Sequence, residues 1–233
     1  MLNKAYKTGK CIYNITMSIK KLNTYHNIRK YKYIYLTIKI EKVKEKFIKI
    51  YTCFSWTILE MMLVKKEFFL RFYKKLSKNV VEKSIINEIK MANISKNDKI
   101  LHIGCGPFPS TALYLKKFTN ARIVTIDKRF LAVKLAKKYI TNKKIKDIDI
   151  FHAAGESFPM NGFDIVIITS CVTPIEKVLK NIFENSNKNC KVICRELKYI
   201  KNTPKTYLQN NNCYIVKKIS HLDWSSYLIK KTA

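Results

Sequence analysis

A chain of 233 residues, 47% of them hydrophobic, is long enough for one ordinary domain with a real core plus an extension. Its 46 Lys and Arg against 16 Asp and Glu give a formal charge of +30, which attracts phosphates or anionic lipid, although abundant Lys, Ile, Asn, Tyr and Phe also fit AT-rich codon usage. Seven cysteines without a CxxC pair, and no positive-then-apolar leader, argue against a disulfide-stapled secreted scaffold and suit a reduced cytoplasm.

Residues 1–60 differ from the rest: Lys, Ile and Tyr dominate, Gly9 is the lone glycine, proline is absent, and thirteen basic residues stand against three acidic ones. The run "YKYIYLTIKIEKVKEKFIKIY" has a periodicity that fits strand and helix alike. Two readings stay open for this extension: a basic arm, disordered alone, that binds RNA or membrane, or upstream sequence ahead of a start at Met61 or Met62. The longest apolar stretch, Ile50 to Val64, falls short of the ~20 residues a membrane span needs and contains Glu60, so we expect a buried or interfacial helix and no transmembrane span.

From Met61 to Lys90 apolar residues recur at three- and four-residue steps, which predicts an amphipathic helical lead-in over 61–96. After Asn97-Asp98 the pattern changes. Strand-like runs at 99–104, 121–127, 147–153, 163–170 and 190–197 alternate with helical stretches near 110–118, 129–140 and 174–185. That alternation predicts an α/β domain over 97–233, a doubly wound parallel sheet with helices on both faces. The ending differs, because 213–219 and 225–231 read as two late strands joined by a short polar turn, an antiparallel edge hairpin.

The first strand-to-helix turn reads "HIGCGPFPST" at 102–111 and holds two of the chain's five glycines, Gly104 and Gly106, around Cys105. In a doubly wound sheet this turn lies at the carboxyl edge, where ligands bind at the switch point in strand order. Glycine lets the backbone approach a ligand that a β-carbon excludes. Asp127 ends the second strand twenty-one residues after Gly106, the position from which a carboxylate accepts hydrogen bonds from ribose hydroxyls. Pro109 stands where the dinucleotide fingerprint has its third glycine, which disfavours NAD and FAD. Pro107 and Pro109 fix φ and remove donors, predicting a stiff loop, with Ser110 or Thr111 capping the helix behind it.

The GxG turn, the acid that ends strand two and the terminal hairpin together resemble class I S-adenosylmethionine-dependent methyltransferases over about residues 85–231. The resemblance implies a Rossmann-like methyltransferase sheet and S-adenosyl-L-methionine as cofactor. It places Gly104, Cys105, Gly106 and Pro107 near the methionine part and Asp127 at the ribose. Inside it, "NE" at 87–88, the "HIGCGPFPST" turn and "FDIVIITSCVTPIEKVLKNI" resemble nicotianamine synthase, a methyltransferase-fold family that transfers the 3-amino-3-carboxypropyl group instead of methyl. That family's GxGPxPxT stretch is matched by Gly104, Gly106, Pro107, Pro109 and Thr111, and its helix glutamate by Glu88. The resemblance gives Glu88 a catalytic role, holding or deprotonating an acceptor amine. The plainer alternative is an exposed helix glutamate.

Departures from the pattern matter as well. Ala154 stands where an acid often meets the adenine amine, with Glu156 two residues on as the candidate substitute, and Ser170 at the fourth-strand exit completes the candidate cofactor set. "TSCVTP" at 169–174 lacks the Asn/Asp-Pro-Pro-aromatic motif of base amino-methyltransferases, which weakens that activity. Cys171, Cys190 and Cys194 read as core packing, the last two on one face of the fifth strand. His26, His102, His152 and His221 show no ligand spacing, so we expect no metal, and His102 reads as a satisfied core residue.

The leading expectation is a cytoplasmic S-adenosylmethionine-dependent transferase, a methyltransferase acting on a small-molecule acceptor. Aminocarboxypropyl transfer is the alternative. An RNA methyltransferase is a further one, because the +30 charge and Tyr/Lys-rich arm offer phosphate contacts and stacking faces and so make nucleic acid a candidate partner. A non-catalytic cofactor-fold module is the third class, distinguished by failure to bind the cofactor.

Overall fold

The computed structural model describes residues 78–198 and 213–231 together with Phe54, Ser55, Ile58, Met62 and Leu208, all within the unit Lys49–Ala233. Apart from those isolated positions, the extension 1–60 and residues 61–77 of the expected lead-in lie outside the described residues. The strands are β1 (Lys99–Ile103), β2 (Arg122–Asp127), β3 (Ile148–His152), β4 (Ile165–Ile168), β5 (Lys191–Leu197), β6 (Cys213–Ser220) and β7 (Trp224–Lys231). The helices are α1 (Lys83–Ala92), α2 (Ser110–Thr119), α3 (Phe130–Asn142) and α4 (Ile175–Asn185). The lead-in is not one continuous α-helix, because a π-helical turn at Lys78–Glu82 runs into α1.

The strands form one seven-stranded sheet in the order β3-β2-β1-β4-β5-β7-β6. β1 to β5 are parallel, while β7 runs antiparallel between β5 and β6. Strand order reverses beside β1, with β2 on one side and β4 on the other, so the switch point lies where the glycine turn leaves β1. The central strands "ILHI" and "IVII" are almost wholly apolar because both their faces are covered.

One buried cluster packs α1, α2 and α3 on one face through Ile85, Leu115 and Ile140, over Ile100, Ile123 and Ile165. The other packs α4 and the β3–β4 connection through Leu179, Met160 and Phe163, over Leu101, Val166 and Val192. In α4 the buried residues Val178, Leu179, Ile182 and Phe183 share one stripe, each contributing ~1.5–3 kcal/mol by leaving water. α1 and α2 both stop at an asparagine in the left-handed region, Asn93 and Asn120. Among the described residues no helix is long and apolar enough to cross a membrane.

Candidate functional site

The turn after β1 is built by close backbone approach. Gly104 sits at φ +88 and Gly106 at φ +67. The N–H groups of Gly104 and Cys105 both reach the Ile126 carbonyl, at 2.8 and 3.2 Å, which carries the β1–β2 pairing into the turn. A β-carbon on Gly104 would lie 2.4 Å from Thr169 Oγ1 and 2.8 Å from Val172 Cγ2, so the β4 exit seals this side of the turn. Cys105, Gly106 and Pro107 are buried. Behind them Phe108 packs edge-on against Tyr139, ring centroids 5.0 Å apart, and the Ser110 N–H closes on the Phe108 carbonyl at 2.7 Å.

Asp127 faces the turn from the end of β2. Its Oδ2 accepts the Gly106 N–H at 2.9 Å and its Oδ1 the Arg129 N–H at 2.9 Å. The Arg129 guanidinium also lies on the carboxylate, with Nε 3.2 Å from Oδ1 and Nη2 3.3 Å from Oδ2. That side chain is 44% exposed, so the contact stands at the edge of water, where ion pairs are weak and readily exchanged.

At the next strand end the Ala153 N–H bonds the Asp127 carbonyl, and the Ala154 carbonyl closes a turn that leaves Ala154 and Glu156 half-buried. Asn181 on α4 pins this turn through the Gly155 and Phe158 carbonyls, each at 2.9 Å. Ser170, also half-buried, follows Thr169 at the β4 exit. The structure therefore brings the candidate cofactor residues to one carboxyl edge, contributed by the ends of β1, β2, β3 and β4.

Glu88 is not an exposed helix residue; it is fully buried. Arg195 on β5 grips it bidentately, Nε to Oε1 at 2.8 Å and Nη2 to Oε2 at 2.7 Å, and Ser226 Oγ on β7 donates to Oε1 at 2.5 Å. Burial works to raise its pKa, but the Arg195 charge and the hydrogen bonds from Arg195 and Ser226 prevail and hold the carboxyl below its ordinary 4.5. The expected cap is corrected here. Pro109 takes the N-cap place of α2 without a side-chain cap, and Thr111 Oγ1 instead accepts from Arg195 Nη1 at 2.9 Å. Arg195 thus ties α1, β5 and the start of α2 together beside the glycine turn.

The hydroxyl directions fix two tautomers. Since Ser226 gives its proton to Glu88, the contact with His221 Nε2 at 3.1 Å has the imidazole as donor. Thr125 likewise gives its proton to the His102 carbonyl, so His102 Nδ1 donates to Thr125 Oγ1 at 2.9 Å. His102 is therefore only half satisfied, because Nε2 has no partner among the described residues. Burial, helped by the Arg195 charge, pushes its pKa down to about 3, so it stays neutral. Arg195, Ser226 and His221 were not among the sequence candidates. The signal for Arg195 was a charged pair, Arg195-Glu196, inside the apolar run of β5. Cys190 and Cys194 pack in the core as expected. Among the described residues no cluster of three or more His, Cys, Asp or Glu is arranged to hold a metal ion.

A family model described as a methyltransferase domain matches residues 94–230. The chain belongs to this methyltransferase-domain family. Its cofactor is S-adenosylmethionine. The fold is shared with solved structures of low identity. MtNAS, a nicotianamine synthase, in complex with MTA and tNA is 13% identical with a TM-score of 0.65, over 76% of this chain and 70% of that one. A Glu-to-Gln mutant of MtNAS in complex with S-adenosylmethionine is 12% identical with a TM-score of 0.69, over 80% of this chain and 76% of that one. The ribosomal protein L11 methylase from Lactobacillus delbrueckii subsp. bulgaricus is 14% identical with a TM-score of 0.55, over 66% and 77%. A comparison with curated proteins finds no match.

Proposed function

We propose that this chain transfers the 3-amino-3-carboxypropyl group of S-adenosylmethionine to a small-molecule acceptor. The observation that carries the reading is the placement of Glu88. It lies upstream of the matched methyltransferase domain, yet α1 buries it against Arg195, which keeps it ionised and also bonds Thr111 at the helix start behind the glycine turn. The likenesses to the MtNAS structures cover 76% and 80% of the chain, against 66% for the L11 methylase, so the MtNAS fold accompanies more of it.

The residues fit the cofactor. Positive-φ glycines bring backbone close to a ligand, and Asp127 presents a carboxylate once the half-exposed Arg129 side chain turns away. In this reading Gly104, Cys105, Gly106 and Pro107 hold the methionine part and Asp127 the ribose. Ala154, Glu156 and Ser170 border the rest. When bound, the sulfonium supplies an activated carbon and a neutral thioether as leaving group. The protein's share is alignment, holding acceptor and carbon in line in a site without water. Glu88, held below the usual carboxylate range with both oxygens on Arg195, suits fixing that cation at the site better than taking a proton.

Methyl transfer to a small molecule is the second reading, favoured by the methyltransferase-domain match itself. One assay separates the two. Purified protein is incubated with S-adenosylmethionine and a host metabolite extract, against heat-killed and no-enzyme controls, and the cofactor by-product is read by mass spectrometry. Methylthioadenosine is the expected product; S-adenosylhomocysteine would replace this proposal with the methyl reading. An arm with added RNA tests the further alternative, which requires binding that weakens steeply with salt.

A further inference from the structure

Glu196 is the next-to-last residue of β5, so its side chain stands on the face opposite Arg195. Tyr227 on β7 donates its hydroxyl to Glu196 Oε2 at 2.8 Å. Burial, with the carboxylate's hydrogen bond adding to it, pushes the Tyr227 phenol up to about 12, so it remains a donor throughout the working range. The other oxygen, Oε1, is closed off from water and has no hydrogen-bond partner among the described residues. A carboxylate oxygen is satisfied by a donor alone, and leaving a buried one bare costs ~1–3 kcal/mol.

The location is the carboxyl edge again. Ile168 of β4 is in register with Cys194 of β5, and Ser170 and Glu196 each lie two residues beyond that pair. Ser170, Cys171 and Val172 there are half-buried. Glu196 thus stands at the edge where ligands meet such sheets, with its bare oxygen buried there. Two arguments select a charged donor. Charge-assisted hydrogen bonds are about twice as strong as neutral ones. In a chain of formal charge +30, a cationic ligand also needs a local carboxylate to offset the long-range repulsion.

We infer that Glu196, steered by Tyr227, is a specificity-determining residue that binds the cationic nitrogen of an ammonium-bearing acceptor. This deepens the transferase reading and rests on it. Tyr227 acts as the positioning residue, since it fixes one carboxylate oxygen and thereby aims the other.

The test uses the full chain as wild type, Glu196→Gln and Tyr227→Phe. Each protein is titrated with 1,3-diaminopropane and with the neutral 1,3-propanediol while its thermal midpoint is followed, and S-adenosylmethionine affinity is measured separately by calorimetry. The diamine raises the wild-type midpoint and the diol does not. In Glu196→Gln the diamine response weakens ~10-fold or more, the loss expected of a hydrogen bond to a charged group, while cofactor affinity stays within about twofold. Tyr227→Phe keeps the carboxylate and weakens the response several-fold. Should Glu196→Gln fail to fold, Glu196→Asp, which withdraws the carboxylate by one methylene, carries the comparison. A diamine response equal in wild type and Glu196→Gln, or absent from wild type that binds the cofactor, overturns the assignment. Failure of wild type to bind S-adenosylmethionine removes the transferase reading instead, while a diamine response that depends on Glu196 upholds the subsite by itself.

Discussion

Replacing Arg195 by methionine should be among the most damaging single changes at the site, and replacing Glu88 as well should undo most of the damage. The single variant removes the two hydrogen bonds of 2.8 and 2.7 Å to Glu88 and the one to Thr111, and leaves Glu88, with no solvent exposure, holding a charge supported by Ser226 and weakly by His221. Breaking a buried pair from one side costs ~3–5 kcal/mol, which in a protein of this size lowers the thermal midpoint by roughly 6–20 °C. The double variant Glu88→Met/Arg195→Met has no buried charge left, and its remaining cost is the Thr111 and Ser226 hydroxyls, which can rotate toward other partners. It should fall within ~2 kcal/mol of wild type. The pH dependence adds a signed check. In wild type the Glu88 pKa is lowered, so its stabilisation is full above the unfolded value of 4.5 and fades as pH falls through the folded value. Without Arg195, burial dominates and raises the folded pKa, so the Glu88 penalty is relieved as pH falls toward 4.5 and the gap to wild type narrows. Urea denaturation at pH 7.5 and 5 on the four members of the cycle measures all of this. A double variant as unstable as the sum of its singles, or a single-variant deficit that widens in acid, would refute the reasoning.

His102, with its pKa pushed down to about 3, should make the fold acid-sensitive. The unfolded chain binds a proton near pH 6.5 and the folded one does not, so stability is lost as pH falls below 6.5, by ~2 kcal/mol at pH 5 from this residue. His102→Asn should remove that slope in urea titrations between pH 7 and 5, and an unchanged slope would place the acid sensitivity elsewhere. Gly104→Ala brings a β-carbon within 2.4 Å of Thr169 Oγ1 at φ +88. Overpacking should cost ~1–3 kcal/mol and the backbone conformation another ~1–2. Thr169→Ala in the same chain should restore only part of the packing cost, as read from thermal midpoints, because Val172 Cγ2 still lies 2.8 Å from the new β-carbon. Asp127→Asn keeps the shape and loses the charge, so calorimetry should show S-adenosylmethionine binding ~10–100-fold weaker; unchanged affinity would take the ribose role from Asp127.

Much of the architecture was legible because it is encoded locally. β5 and β7 begin and end within one residue of the expected runs, and α2 and α4 do likewise, since β-branched runs and three-to-four spacing change abruptly at asparagine, glycine and proline. β4 is shorter than expected, four residues of the eight at 163–170, because Phe163 turns into the core and Thr169 leaves the ladder to close on Gly104. The place of β7 between β5 and β6 was not legible. A hairpin signal states that two strands pair, while the choice of which one docks on β5 is made by long-range packing of Tyr227 and Ile229.

The site divides the same way. The glycine turn and Asp127 are separated by twenty-one residues and joined by one hydrogen bond, so a motif can carry them. Glu88, Arg195 and Ser226 are drawn from positions 107 and 138 residues apart, which no local pattern spans. Physical reasoning nevertheless had a route to the pair. The buried residues of α1 are Ser84, Ile85, Glu88, Met91 and Ala92, one helical stripe with a glutamate in its middle. A carboxylate there must be neutralised by a cation equally removed from water. Of the five arginines, Arg29 and Arg71 lie outside the described residues, and Arg122 and Arg129 stand at exposed ends of β2 and its turn. Arg195 is the one set inside a strand, next to the apolar run Val192–Cys194, and in the fold the two misfits meet and cancel.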